Sequence, residues 1–180
     1  MRTILIAALI AAISLPAAAL DVPKDGYVVS DDLGELPEAV RAKRDALIAA
    51  ARSGDIEALR PVFEAQKTPP NVSFGDPDDP IEHLKQESGD GEGIETLAIL
   101  KKTLEAPYAA MDGGDGTVYY VWPYFAAMTD LRDLTPEQLV DGYALLGWRG
   151  FEDQREVGGW ISWRAFIDGN GDLTAFVAGD

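Results

Sequence analysis

"AFIDGNGDLTAFVAGD" at residues 165–180 predicts a β-hairpin at the carboxyl end of this chain. Asn170 and Gly171 form a dipeptide that favours the tight two-residue turn of antiparallel hairpins. Residues 160–167 before the turn alternate in the manner of a strand, and residues 173–178 after it are also strand-like. The chain is therefore expected to end in two antiparallel strands.

Both faces of this hairpin are largely apolar. In a regular ladder, Trp163 and Phe176 would share one face, and Phe166 and Leu173 would share the other. A strand pair that is apolar on both faces needs a covering layer on each. Arg164 interrupts the second face, and we expect it either to pair with a carboxylate or to reach water from the margin of the sheet.

The same turn is a candidate calcium loop. Asp168, Asn170 and Asp172 stand at the first three ligand positions of an EF-hand pattern. Leu173 replaces the glycine of position 6, and Gly179 replaces the bidentate glutamate of position 12. We therefore favour a structural hairpin turn and keep the three residues as a candidate for a weak calcium site. No other metal and no cofactor is predicted.

Apolar spacing in the first two thirds of the chain predicts three helices. One covers residues 36–54, a shorter one follows Asp55, and a third is indicated from Leu97 to Met111 by apolar residues every three or four positions. The short stretch "YVVS" at 27–30 fits an edge strand.

A fourth helix has the clearest start. Thr135, Pro136 and Gln138 form a capping box with proline at the first helical position, which predicts a helix over residues 136–146. Residues 117–122, before this helix, alternate as a strand. Together these signals predict an α+β fold, with four or so helices packed on a small antiparallel sheet that ends in the C-terminal hairpin.

The composition divides the chain into three parts. Residues 1–19 contain one cation, then an apolar run and then three alanines, a combination typical of a secretory signal peptide. Residues 20–35 are expected to form an N-terminal arm, and residues 36–180 a single α+β domain with an acidic loop at 68–93. We therefore expect a periplasmic or secreted protein with no membrane span after signal cleavage.

The charge and the missing residue types exclude several kinds of function. The chain has 31 Asp and Glu against 15 Lys and Arg, and its net charge of −16 disfavours nucleic-acid binding, which depends on cations. It has no cysteine and one histidine, His83, which excludes thiol catalysis and zinc motifs with paired histidines. We expect an acidic monomer whose partner is a protein or a small-molecule ligand.

A candidate binding site lies at residues 147–163, where aromatic and charged residues are mixed. The expected ligand-binding residues, including one just beyond this stretch, are Trp148, Phe151, Arg155, Trp160 and Arg164. Aromatic faces beside charged groups can hold a sugar ring or a peptide, and the alternative is that the tryptophans anchor the core. If the protein is an enzyme, Glu152 or Asp153 is the candidate acid/base residue.

Two short motifs are similar to a known family. "YVWPYFA" at 120–126, before the capped helix, and "AFVAGD" at 175–180 resemble an uncharacterised family of secreted proteobacterial proteins. The resemblance covers the C-terminal half of the chain and implies a location but no activity. The preferred function is a secreted or periplasmic, non-catalytic accessory protein that binds a partner or small ligand. The alternative is a carboxylate-dependent hydrolase acting on a cell-envelope polymer.

Overall fold

A five-stranded antiparallel sheet forms the centre of the structure, a computed structural model that describes residues 20–75 and 77–179. The strands follow one another across the sheet in chain order, and every neighbouring pair is antiparallel. They are β1 (Tyr27–Ser30), β2 (Tyr108–Asp112), β3 (Val118–Trp122), β4 (Arg164–Asp168) and β5 (Leu173–Val177). The predicted C-terminal hairpin is confirmed as β4 and β5, whereas the predicted signal peptide at 1–19 lies outside the described residues.

Five α-helices accompany this sheet in the part of the chain that the structure describes. They are α1 (Glu38–Arg52), α2 (Arg60–Glu64), α3 (Pro80–Gln86), α4 (Ile94–Glu105) and α5 (Pro136–Val157). Helices α1 to α4 lie between β1 and β2 in the chain, and α5 lies between β3 and β4. The α+β prediction is therefore confirmed. Within residues 20–75 and 77–179, none of the helices has the length and hydrophobicity that crossing a membrane requires.

Two apolar cores lie on opposite faces of the sheet. Ala110 of β2 belongs to the first core and the neighbouring Ala109 to the second, as the alternation of a strand requires. The first core joins the sheet to helices α1 to α4 and buries Trp122, whereas the second joins it to α5 and buries Phe125 and Phe151. The expected covering layer is found on one face of the C-terminal hairpin, where Ile167, Leu173 and Phe176 lie in the first core. The second core contains no residue of β4 or β5, so a layer on the other face of the hairpin stays a prediction.

Helix α5 begins as the sequence predicts. The Thr135 N–H donates to Gln138 Oε1 at 2.9 Å, and the Gln138 N–H donates to Thr135 Oγ1 at 3.3 Å, which completes the capping box. Gly147, with φ 70° and ψ 169°, interrupts the helix at the residue after the predicted end. The helix then resumes, and the ring of Phe151 in its second half packs against Gly142 in its first half.

The third predicted helix is shorter than its apolar spacing indicates. Helix α4 ends at Glu105, and both Tyr108 and Met111 lie in β2. Pro107 separates the two elements, and β2 forms ladders with β1 on one side and β3 on the other. These ladders satisfy the backbone groups that a longer helix would otherwise satisfy, so the expectation of a helix as far as Met111 is wrong.

A bulge in the C-terminal hairpin turns Leu173 to the opposite face from the one expected. The pairing shifts between Phe166 and Ile167, so Thr174 has no residue opposite it. Leu173 therefore lies in the first core, and its predicted place on the face of Phe166 is wrong. Gln66 holds the bulge, because its Nε2 donates to the Leu173 carbonyl at 2.7 Å and its Oε1 accepts from the Leu173 N–H at 3.1 Å.

Candidate functional site

Two of the predicted binding residues, Phe151 and Trp160, are buried in the second core. The ring of Phe125 contacts both, with ring-centroid distances of 4.9 Å to Phe151 and 5.5 Å to Trp160. The Trp160 indole N–H donates to the carbonyl of Trp163 at 3.1 Å, so this donor is satisfied inside the protein. These two side chains have the environment of core anchors, which is the alternative that the sequence left open.

Trp148 lies on the outside of α5 rather than in the core. This residue is 64% exposed, and Val140 on the same helix is 67% exposed. Ala144, one turn after Val140, is exposed as well. These three residues, Val140, Ala144 and Trp148, are named the α5 surface. Single exposed apolar side chains are common on protein surfaces, whereas a contiguous group of them marks a contact site for another molecule.

Glu152 and Arg155 form an ion pair within α5, and Arg155 also binds the loop that precedes the helix. Arg155 Nη1 lies 2.9 and 3.0 Å from the two Glu152 carboxylate oxygens, and the Tyr143 hydroxyl donates to Glu152 Oε1 at 2.9 Å. Arg155 also donates to the carbonyls of Leu131 at 3.4 Å and Arg132 at 3.1 Å. The Arg155 guanidinium, and then the Tyr143 hydroxyl, hold the pKa of Glu152 below its ordinary value. A general acid needs a raised pKa, so this arrangement does not favour Glu152 in that role.

Asp153 and Arg164 are the remaining residues of the predicted site. Asp153 is exposed on α5. Arg164 is half-buried at the start of β4, where its Nη1 donates to the carbonyl of Trp160 at 3.3 Å. This contact ties β4 to the segment that leaves α5. The expected carboxylate partner of Arg164 stays a prediction.

The candidate calcium residues shape the hairpin turn. Asp168 Oδ1 accepts hydrogen bonds from the N–H of Asn170 at 2.9 Å and of Asp172 at 3.0 Å. Gly171 has φ 89° and lies so close to α1 that a Cβ atom there would be 2.7 Å from the Ala39 carbonyl oxygen. Within the described ranges, no group of three or more His, Asp and Glu side chains is arranged to hold a metal ion. The calcium site stays a prediction.

The carboxyl groups of the protein share one electrostatic tendency. Wherever the pKa of a described Asp or Glu is clearly shifted, it is shifted downwards, because hydrogen bonds from cations, hydroxyls or backbone N–H groups stabilise the charged form. The residues concerned are Glu57, Asp79, Asp90, Glu105, Asp112, Asp115, Asp130, Glu137 and Glu152. Such groups are charged at neutral pH and are suited to holding structure or attracting cations rather than to donating protons.

A pocket of about 480 Å³ lies beside the outer edge of β5. Its walls come from residues 68–74, 77, 78 and 80 and from Thr174, and they include four prolines, the ring of Phe74 and the carboxylate of Asp78. Phe74 is 62% exposed. The sequence predicts an acidic loop over this segment and no site, although its clustered prolines and single phenylalanine are a signal that could have indicated one.

Asn71 attaches this pocket to the sheet. Its N–H donates to the Thr174 carbonyl at 2.9 Å, and its carbonyl accepts from the Phe176 N–H at 2.8 Å, which forms a one-residue parallel bridge with Ala175. The acidic loop is therefore tied to the edge strand at this point, and the pocket wall is held against β5. Helix α3, within the same loop, then begins at Pro80.

Comparisons with family models, with curated proteins and with solved structures give no match to this chain. The resemblance of its C-terminal half to secreted proteobacterial proteins stays a prediction. Its function therefore has to be inferred from the geometry of the molecule.

Proposed function

We propose that this chain is a secreted or periplasmic, non-catalytic accessory protein that binds a partner protein through the α5 surface. The observation that supports it is the exposure of Trp148, 64%, on a helix whose other aromatic side chains are held in the second core. Tryptophan is among the residues that contribute most binding energy at protein interfaces, because it buries a large apolar area with few freely rotating bonds. Val140 and Ala144 are exposed apolar residues in the half of α5 that precedes the break at Gly147.

The placement of Trp148 favours a partner protein over a small ligand. Small-ligand sites are concave and enclose most of their ligand. An indole that is 64% exposed on the outer side of a helix is not enclosed in this way. A complementary apolar hollow on a partner surface fits such a projecting ring.

The electrostatics favour binding over hydrolysis. A carboxylate-dependent hydrolase needs two carboxyl groups facing one cleft, one of them with a raised pKa. The pKa of Glu152 is lowered by Arg155, and Asp153 is exposed to solvent. The hydrolase alternative therefore gains no support from the residues that would perform it.

The binding function is tested by site-specific photo-crosslinking in the source organism. A photoreactive phenylalanine analogue replaces Trp148 in one variant and Ala49, an exposed residue of α1, in a matched control. We expect one discrete protein adduct from position 148 that position 49 does not give, and we expect Val140→Glu to reduce it strongly. No adduct at position 148, or the same adducts from both positions, would overturn the proposal.

The location is tested separately. The signal peptide predicts that the mature protein is exported and begins at Leu20, after cleavage behind Ala19. Cell fractionation and the intact mass of the purified protein measure both properties. A full-length chain retained in the cytoplasm would contradict the proposed location without bearing on the α5 surface.

A further inference from the structure

Several backbone donors of the pocket beside β5 are absent or already used within the protein. Its four prolines have no backbone N–H to offer. The Asn71 N–H already donates to Thr174, the Ser73 N–H donates to Asn71 Oδ1 at 3.0 Å, and the Gly75 N–H donates to Ser73 Oγ at 3.1 Å. The acceptors that the walls offer to a ligand include backbone carbonyl oxygens and the carboxylate of Asp78.

The charge around the pocket is negative. Among the described residues that line it, none is Lys, Arg or His, and Asp78 is exposed. Arg60, one of two cations near the pocket, is engaged by two carboxylates, Glu57 at 2.7 Å and Asp79 at 3.1 Å. The other, Lys67, precedes the lining residue Thr68 in the chain and is not itself part of the lining. The net charge of −16 over the whole chain adds a field that attracts cations. The pocket is complementary to a ligand with a positive charge and several N–H donors.

The ring of Phe74 favours a ligand that has a planar or apolar group. Its ring is largely exposed at the pocket, although phenylalanine is usually buried. The face of an aromatic ring attracts cations, and the guanidinium of arginine both stacks on such rings and carries five donors in one plane. Lysine offers a compact ammonium without the stacking face. Of the protein cations, arginine fits this combination best.

We propose that this pocket binds an arginine side chain of a partner polypeptide, with the guanidinium stacked on Phe74 and paired with Asp78. A side chain within a polypeptide fits better than free arginine, because the carboxylate of the free amino acid would meet no cation among the described lining residues and would face Asp78. The pocket is formed by residues 68–74, 77, 78 and 80 and by Thr174 of β5, and the α5 surface lies on a different element, so this proposal does not depend on Trp148.

The first experiment titrates the ¹⁵N-labelled mature protein with the blocked peptide acetyl-Gly-Arg-Gly-amide. The control peptide replaces arginine with citrulline, which keeps the shape but loses the charge, and free L-arginine tests the other source of a guanidinium. We expect saturable shifts of the amide signals of Ser73, Phe74 and Thr174, with binding about three- to tenfold weaker for the citrulline peptide. Free arginine is expected to bind more weakly than the blocked peptide.

The second experiment uses variants of the two recognising side chains. Phe74→Leu keeps an apolar group without an aromatic face, and Asp78→Asn removes the charge with little change of shape. Each is expected to weaken binding of the arginine peptide about two- to fivefold. Asp31→Asn makes the same charge change at an exposed residue outside the pocket and is expected to leave the affinity unchanged.

Several results would overturn this proposal. They are the absence of saturable binding, equal affinity for the citrulline peptide, shifts confined to α5, stronger binding of free arginine than of the peptide, or Phe74→Leu and Asp78→Asn affinities equal to that of Asp31→Asn. Because both Phe74 and Asp78 are exposed, their variants are expected to fold, and a thermal melt of each checks this.

Discussion

The ring of Phe151 packs directly on Gly142 within the same interrupted helix: a Cβ atom on Gly142 would lie 2.2 Å from Phe151 Cζ. The two residues stand on either side of the break at Gly147, and both are buried. The missing side chain of Gly142 thus makes room for a ring that the second half of α5 inserts into the core. The same arrangement leaves Trp148, which follows the break, on the outside.

Gly142→Ala is therefore expected to destabilise the protein by about 1–2 kcal/mol, because the overpacking cost exceeds the gain in helix propensity. Urea denaturation measures the free energy of unfolding. Gly159→Ala is the matched control, since a Cβ there meets nothing within 4 Å, and its effect is expected to stay within about 0.5 kcal/mol. Equal stability of the two variants would show that the contact with Phe151 is not a constraint.

Gln154 organises the connection between α5 and β4. Its buried Oε1 accepts from the N–H of Ile161 at 2.7 Å and of Ser162 at 3.1 Å. Gln154→Ala removes the acceptor from two backbone donors and is expected to cost about 2 kcal/mol of unfolding free energy. Gln86→Ala, at an exposed residue of α3, is the matched control and is expected to cost under about 0.5 kcal/mol in the same denaturation experiment.

Asp90 makes the stability of the loop before α4 sensitive to acid. Backbone N–H groups of Glu92, Glu95 and Gly93 and the hydroxyl of Ser88 donate to its carboxylate and lower its pKa to about 2. An unfolded chain has an Asp pKa of about 3.9, so this contribution is fully present above about pH 4 and is lost as the pH falls towards 2.

Asp90→Asn should therefore lower stability at pH 7 and flatten the acid-induced loss between about pH 4 and 2. Urea denaturation of the wild type and the variant across this range measures the difference. A variant whose stability runs parallel to that of the wild type over the whole range would contradict the assignment to Asp90.

The hydrolase alternative has a direct assay. Wild type, Glu152→Gln and Asp153→Asn are incubated with peptidoglycan and with envelope glycans, and soluble products are measured. We expect no release above background from any of them, because Glu152 is held charged by Arg155. Release by the wild type that either variant loses would establish the hydrolase and remove the non-catalytic proposal.

The calcium candidate is tested by thermal melts with and without millimolar CaCl₂. A ligand that binds the native state raises its melting temperature. We expect no rise, because Asp168 Oδ1 is already occupied by two backbone N–H groups of the turn. A rise that Asp172→Asn abolishes would show that the turn coordinates the ion.

The predictions from sequence succeeded where neighbouring residues decide the structure. Thr135 and Gln138 satisfy each other's backbone groups within one helical turn. The hairpin of β4 and β5 forms as predicted, but the expected two-residue turn at Asn170 and Gly171 is wrong. The turn centres on Gly169 and Asn170, because the Gly171 N–H donates to the Asp168 carbonyl at 2.9 Å. Helical spacing failed at Met111, because β2 is stabilised by partners on both sides that lie far away in the chain. Local periodicity contains no information about such partners.

In the candidate site, too, neighbouring residues do not decide whether an aromatic side chain is buried or exposed. Trp148 and Trp160 both follow glycine, yet one is exposed and the other is buried against Phe125. Their environments depend on the break at Gly147 and on the path of the chain from α5 into β4. The pocket at β5 likewise requires Asn71 to meet Thr174, a residue more than one hundred positions later.

The amino-acid sequence by itself determined the fold class, the C-terminal hairpin, the capped start of α5 and the excess of negative charge, since each depends on residue types and short-range backbone preferences. Only the tertiary structure decided which aromatic side chains are exposed, that Leu173 turns into the first core and that a pocket forms beside β5. These features arise from contacts between distant segments, and their energies depend on how the elements pack rather than on any one stretch of the chain.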